Sequence, residues 1–161
     1  MQRINLHTMD WIEWPASPKG KFVQSSKPIS ESLGHVSDSD SKRETHPFDL
    51  ELCRVPPGCS PCPFHSHSAQ FELYLVVSGS GKIRSSDGWS EFSPGDAVIF
   101  PPGEPHQILN NGEEDLLFYI IADNPIGEAC YYPDSDKWSL PRILNGPFLK
   151  GNAVEYYDGE E

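Results

Sequence analysis

Basic residues are scarce in this sequence: 12 Lys and Arg stand against 24 Asp and Glu, which gives a formal net charge of −12 at pH 7. This charge would repel the phosphates of a nucleic acid. It also disfavours an anionic membrane surface, and no apolar run reaches the ~18 residues that a membrane helix needs. We therefore expect no nucleic-acid partner and no membrane partner.

The stretch from Met1 to Trp14 has no basic start followed by an apolar run, so no signal peptide is predicted. This predicts a cytoplasmic protein, whose four cysteines are expected to be free thiols. Cys59 and Cys62 have the spacing of half a zinc site. No second Cys-x-x-Cys completes that site, so we interpret the pair as thiols in a proline-rich loop.

Long helical patterns are nearly absent, while turn signals are abundant. Proline accounts for 16 of the 161 residues, which is about twice its ordinary usage. Short β-prone runs separated by turn residues predict an all-β sandwich or barrel, with short helices considered only at 29–33 and 137–140. Strands are predicted at 48–55, 72–78, 82–84, 89–92, 97–100, 106–110 and 116–122, with hairpin turns at Asp87-Gly88 and Asn111-Gly112.

The length of 161 residues predicts one domain with three parts. Residues 1–46 are polar and irregular but contain large aromatic residues, so we expect an extension that packs on the barrel or on a dimer partner. An exposed loop is expected at 37–43. Residues 47–124 are expected to form the barrel core, and residues 125–161 a tail that completes or flanks it.

Three histidines and a glutamate are the candidate metal ligands. His65 and His67 are two residues apart, so in a strand both side chains point to one face. Glu72 opens the next strand, and His106 begins a later strand after a Pro-Pro-Gly turn. Three imidazoles and one carboxylate suit a divalent transition metal such as Fe, Mn, Zn, Ni or Co.

Glu72 and Tyr74 are the candidate catalytic residues. Tyr74 shares the strand parity of Glu72 and would line the same interior. Glu72 could act as a base beside a three-histidine metal instead of ligating it. Four protein ligands on an octahedral ion would leave two positions for substrate, water or dioxygen.

These residues resemble the two motifs of the cupin superfamily. The first motif, Gly-x5-His-x-His-x3-4-Glu-x6-Gly, is matched from Gly58 to Gly79, with one extra residue before His65. The second, Gly-x5-Pro-x-Gly-x2-His-x3-Asn, is matched at every position from Gly95 to Asn110. The resemblance implies a jelly-roll, or double-stranded β-helix, with a metal inside. It assigns the ligand role to the four residues His65, His67, Glu72 and His106.

The resemblance also implies a homodimer, since cupins often pair their barrels. The C-terminal part resembles a narrower group of small bacterial cupins, some of which are named sugar-phosphate isomerases by similarity. The phrases that carry this likeness are Asp123-Asn-Pro125, Tyr132-Pro-Asp-Ser135, Lys137-Trp138 and Tyr157-Asp-Gly-Glu-Glu161.

Three functions remain open, each with a small-molecule ligand. The first is a metal-dependent isomerase of a sugar or sugar phosphate, although Arg54, Lys82 and Arg84 are the only basic residues of the barrel segment and are expected on its outer face. The second is a non-haem metal dioxygenase with an aromatic pocket, and the third is a non-catalytic binding protein. Candidate aromatic residues for the dioxygenase are Phe71, Tyr74, Phe118 and Tyr119.

Overall fold

The computed structural model describes residues 1–35, 46–125, 127–140, 148–151 and 153–160. The loop expected at 37–43 lies outside these ranges. Within them the chain is almost entirely β-structure, with one α-helix, α1 (Ile29–Ser32), and 3-10 turns at Leu6–Thr8 and Pro133–Ser135. The strands are β1 (Ile12–Glu13), β2 (Ser25–Pro28), β3 (Phe48–Val55), β4 (Ser66–His67), β5 (Glu72–Ser78), β6 (Gly81–Ser85), β7 (Gly88–Phe92), β8 (Ala97–Phe100), β9 (Gln107–Leu109), β10 (Leu116–Asp123), β11 (Cys130–Tyr132), β12 (Lys137–Ser139) and β13 (Phe148–Leu149).

The strands form three antiparallel sheets. The largest has the order β1-β2-β3-β10-β5-β8, the second β13-β12-β11-β4, and the third β7-β6-β9. Five of the ten pairings among the described strands join strands that are not consecutive in the chain, among them β3 with β10 and β5 with β8, as expected for a double-stranded β-helix. The predicted all-β class is confirmed.

The core lies between the sheets because alternate side chains of each strand point inward. In β10, Leu116 and Phe118 are fully buried, while Leu117 between them is not. The same alternation in β5 buries Tyr74 and Val76. The core cluster consists of Cys53, Val55, Tyr74, Val76, Ile83, Phe92, Phe100, Ile108, Leu116 and Phe118.

The hairpin predicted at Asn111-Gly112 is wrong. β9 pairs with β6, and β10 pairs with β3 and β5, so the chain crosses between two sheets at this point. Asn110 is fully buried, and its Nδ2 donates hydrogen bonds of 2.8 Å to the carbonyl oxygens of Val55 and Glu114. These bonds hold the turn against β3 instead of letting it fold back on β9. A hairpin between β6 and β7 is confirmed, but its turn residues are Ser86 and Asp87, because Gly88 already pairs with Ser85.

The two terminal parts join the sheets. β2 pairs with β3, so the N-terminal part extends the largest sheet. The Lys27 ammonium and the Arg54 guanidinium each lie over the Trp11 ring, 4.8 and 4.5 Å from its centroid. The helix at 29–33 is confirmed as α1, whereas the alternative at 137–140 is wrong because β12 pairs there with β11. No helix in the described ranges is long and apolar enough to cross a membrane.

Candidate metal centre

The backbone joins the two histidine segments directly. His65 and His106 exchange hydrogen bonds, with His65 N–H donating to His106 O at 3.1 Å and His106 N–H donating to His65 O at 2.8 Å. The N–H of Gly103 donates to His67 O at 2.7 Å. Gly103 has φ +85°, a conformation that favours glycine, so the Pro-Pro-Gly turn can place His106 beside the other two histidines.

Close backbone packing explains why the first motif ends on a glycine, Gly79. A Cβ on Gly79 would lie 2.5 Å from the carbonyl oxygen of Asp115, and Gly79 has φ +78°. Any other residue would push β5 away from the start of β10. Because β5 carries Glu72 and Tyr74, this close approach helps to fix the strand that presents the carboxylate.

The four predicted ligand atoms lie within 4.8 Å of one another. Nε2 of His67 is 3.2 Å from Nε2 of His65 and 3.3 Å from Oε2 of Glu72, and Nε2 of His106 is 2.8 Å from the same Oε2. Bonds of about 2.1 Å from one ion to N and O ligands place adjacent ligands about 3 Å apart in octahedral geometry. The donor set therefore fits one divalent transition metal.

The ring orientations agree with this fit. Nδ1 of His65 is 2.9 Å from the carbonyl oxygen of Pro63, and Nδ1 of His106 is 3.2 Å from that of Glu104. A carbonyl oxygen only accepts, so each of these Nδ1 atoms carries a hydrogen. Both rings thus direct Nε2 towards the metal position, where it can bind an ion once it carries no proton, as second-shell partners of metal-bound histidines usually ensure.

Burial and pairing give the donors different proton affinities. Burial lowers the pKa of His65 to about 4. Burial also opposes the charged form of His67, but hydrogen bonds to Cys130, Glu128 and Glu72 outweigh it and raise its pKa to about 12. Burial opposes ionisation of Glu72 as well, yet hydrogen bonds from His106 and His67 keep its pKa well below the usual value. The centre therefore contains the Glu72 carboxylate and the protonated ring of His67, and a metal cation can take the place of the His67 proton.

A cavity of about 110 Å³ adjoins the centre and is acidic. Glu72 is one of its lining residues and is also a candidate metal ligand. Burial raises the pKa of Glu51, and the charges of Asp49 and Glu72 act in the same direction. None of the six lining residues is basic; they are Asp49, Glu51, Gln70, Glu72, Ile120 and Ala122. A larger cavity of about 340 Å³ lies on the outer face of the sheet and touches none of the four ligands.

The basic residues of the barrel segment point away from the centre. Arg54 pairs with Glu13 at 2.9 Å, and Lys82 pairs with Glu91 at 3.2 Å. Arg84 donates from both terminal nitrogens to Asp134, at 2.7 and 3.0 Å.

The candidate aromatic residues do not form one pocket. Phe71 is 46% exposed, and Tyr119 lines the outer cavity. Phe118 and Tyr74 belong to the core cluster, where their rings meet edge to face with centroids 5.6 Å apart. Tyr74 still reaches the centre, because its hydroxyl donates to Oε2 of Glu72 at 2.7 Å.

Sequence reasoning missed three residues next to the histidines. Glu128 lies 3.1 Å from Nδ1 of His67, and the Cys130 sulfur lies 3.5 Å from the same atom. The Tyr132 ring stacks on His65 with centroids 6.0 Å apart. All three follow the barrel segment in the chain and form no recognisable motif with the histidines. The pairing of β11 with β4 brings them there. Cys62 and Cys130 are free thiols, as are Cys53 and Cys59.

Comparison with known proteins identifies the class. Residues 51–122 match the family model of the Cupin_2 cupin domain. A solved structure from Acidithiobacillus ferrooxidans, provisionally named a sugar phosphate isomerase, superposes with a TM-score of 0.77 over 93% of this chain and 92% of that one, at 20% identity. A sugar phosphate isomerase of the cupin superfamily from Silicibacter pomeroyi gives 0.75 over 96% and 98%, at 22% identity.

Among curated proteins, the oxalate-binding protein of Thermotoga maritima is 32% identical over 68 residues, which are 42% of this chain and 55% of that protein. The chain spans about half, or less, of the length of the curated relatives it matches. The fold, both histidine segments and the family match agree. Residues 51–122 are a cupin domain.

Proposed function

We propose that this cupin binds one divalent transition metal through His65, His67, Glu72 and His106. We further propose that it isomerises a small polyhydroxy carbonyl compound of the sugar class. The observation that supports the proposal is the acidic cavity, whose lining includes both Glu51 and Glu72. A hydroxylated substrate can donate hydrogen bonds to these carboxyl groups. An ion held there would act as a Lewis acid towards a carbonyl oxygen.

Glu51 is the proposed proton carrier. Isomerisation moves a proton between adjacent carbons, and a group whose pKa lies nearer to the working pH does this best. Burial shifts the pKa of Glu51 in that direction, while Glu72 is held as a carboxylate by His106 and His67. Two carboxyl groups with opposite shifts in one cavity suit one mobile proton and one fixed negative charge.

The charge of the cavity favours a neutral sugar over a sugar phosphate. A phosphate would have to approach Asp49, Glu51 and Glu72 with no basic group among the lining residues. The barrel cations that could neutralise it are paired with carboxylates elsewhere. A dioxygenase receives less support, because the four candidate aromatic residues are divided between the core, the surface and the outer cavity.

The test is an isomerisation assay on the protein loaded in turn with Mn²⁺, Fe²⁺, Co²⁺, Ni²⁺ or Zn²⁺. Neutral aldoses and ketoses are compared with their phosphates, in D₂O, so that NMR detects deuterium entering beside the carbonyl. We expect exchange and conversion of a neutral sugar, abolished in Glu51→Gln. Turnover of the phosphates alone, or oxygen consumption, would contradict the proposal. Sugar binding without exchange would show a binding protein.

A further inference from the structure

The carboxylate of Glu128 is surrounded by hydrogen-bond donors. Its Oε1 accepts from Ser68 N–H at 2.9 Å and lies 3.1 Å from Nδ1 of His67. Its Oε2 accepts from Ala69 N–H at 2.9 Å, from Gln70 N–H at 3.0 Å and from the Ser68 hydroxyl at 3.3 Å. Both oxygens are thus occupied, and the carboxylate is fixed in place.

The backbone on either side of Glu128 is fixed as well. The hydroxyl of Ser68 accepts from Ala129 N–H at 2.9 Å, and Ser68 N–H donates to Ala129 O at 2.8 Å. β11 then pairs with β4, the strand that contains His67. Glu128 lies outside the residues 51–122 that match the cupin family model, so the C-terminal tail contributes it to the barrel.

We propose that Glu128 is a positioning residue that holds His67 with Nδ1–H towards the carboxylate and Nε2 towards the metal position. His65 and His106 have carbonyl oxygens at Nδ1, and His67 alone of the three has a carboxylate there. A carboxylate acceptor fixes the tautomer and makes the opposite nitrogen a stronger ligand. The proposal rests on the proposed role of His67 as a ligand and is independent of any isomerase activity.

Two other arrangements of these atoms make different predictions. His67, Glu128 and Cys130 could hold a second ion, since their ligand atoms also lie within 4.8 Å of one another. The five donors around Glu128 oppose this, because its oxygens would have to leave them. Cys130 could instead be the partner of Nδ1, but its sulfur is more distant at 3.5 Å and is a weaker acceptor.

The experiment measures Zn²⁺ affinity and stoichiometry by calorimetry with a competing chelator, for the wild type and for Glu128→Gln, Ser68→Ala, Cys130→Ala and His67→Ala. The Gln variant retains one oxygen but disturbs the five-donor arrangement. Ser68→Ala disturbs the same loop without removing the partner of His67. Circular dichroism and Tm confirm that each variant folds. In the Zn²⁺-loaded protein, NMR of the histidine rings gives the tautomer of His67 and its Nδ1–H signal.

We expect one ion per chain, a 10–100-fold loss of affinity in Glu128→Gln, and less than about a threefold change in Ser68→Ala and Cys130→Ala. The wild type should show a downfield, slowly exchanging Nδ1–H of His67 that is lost in Glu128→Gln. Wild-type affinity in Glu128→Gln, equal losses in Glu128→Gln and Ser68→Ala, or two ions per chain would overturn the proposal. If Glu128→Gln will not fold, a wild-type His67 without that Nδ1–H would overturn it. Wild-type affinity in His67→Ala would show instead that the ligand assignment is wrong.

Discussion

The hydroxyl of Tyr74 donates to Oε2 of Glu72 at 2.7 Å, and that oxygen also faces Nε2 of His106 at 2.8 Å. Tyr74 is only 4% exposed. We expect Tyr74→Phe to lower stability by about 1 kcal/mol and to weaken metal binding about fivefold, because one hydrogen bond to the ligand is lost. Tm and calorimetric metal titration measure these effects. A hundredfold loss of turnover at saturating metal, with unchanged affinity, would instead show a direct catalytic role for Tyr74.

His106→Ala should remove most of the bound metal while leaving the chain folded. The side chain is almost fully buried and stacks on Phe100 with ring centroids 4.2 Å apart. Its removal deletes one ligand and leaves a cavity that costs about 2–5 kcal/mol. Elemental analysis should show a metal content well below that of the wild type, with a lower Tm. His7→Ala, in an exposed turn, is the matched control. Unchanged metal content in His106→Ala would place the site elsewhere.

Local sequence patterns predicted much of this fold. β3, β5 and β8 have the predicted bounds. The signals that predicted them depend on neighbouring residues alone: alternation in Phe48–Val55, and compact apolar runs between proline and glycine turns in the other two strands. The geometry that brings His65, His67, Glu72 and His106 together depends on the spacing within two continuous segments, which a sequence displays directly.

What the sequence did not predict depends on contacts between distant segments. The turn at Asn111-Gly112 has hairpin residues, but the path of the chain is set by the side chain of Asn110 reaching Val55, which is 55 residues away. Glu128 reaches His67 across 61 residues, and no spacing rule connects them. Pairings of this kind become visible only when the sheets are assembled.

Metal affinity should increase with pH. At neutral pH, His65 is neutral because burial lowers its pKa to about 4, while His67 carries a proton because its acidic partners raise its pKa to about 12. Glu72, whose pKa is lowered, is already ionised. Binding must therefore release at least the proton of His67, and the apparent Kd should fall about tenfold or more per pH unit between about pH 6 and 8. Calorimetry in buffers of different ionisation enthalpy counts the protons. An affinity independent of pH would contradict this proton count.

We propose that the homodimer implied by the cupin resemblance forms through the outer face of β5 and β8. β8 is the edge strand of the largest sheet. On its outer face, Val77 of β5 is 46% exposed and Ile99 of β8 is 56% exposed. β2 of the N-terminal part, in contrast, is already paired within its own chain. Placing charges on an apolar interface is costly. Val77→Lys with Ile99→Lys should therefore elute as a monomer in light-scattering chromatography, while Trp89→Lys, at another exposed site, remains dimeric. A double variant that stays dimeric would exclude this face.

Glu51→Gln should make the metal-free protein more stable at neutral pH and inactive in isomerisation. Because burial raises the pKa of Glu51 above 4.5, the folded state binds its proton more tightly than the unfolded state. Folding is therefore opposed as pH rises through the folded pKa, and the amide removes that penalty. We expect a Tm gain of about 2–4 °C at pH 8, little gain at pH 4, where both states are largely protonated, and no gain in the exposed control Glu113→Gln. Since glutamine cannot carry a proton, turnover should fall at least ~100-fold. If the variant gains stability and keeps full turnover, Glu51 is not the proton carrier and its burial does not serve catalysis.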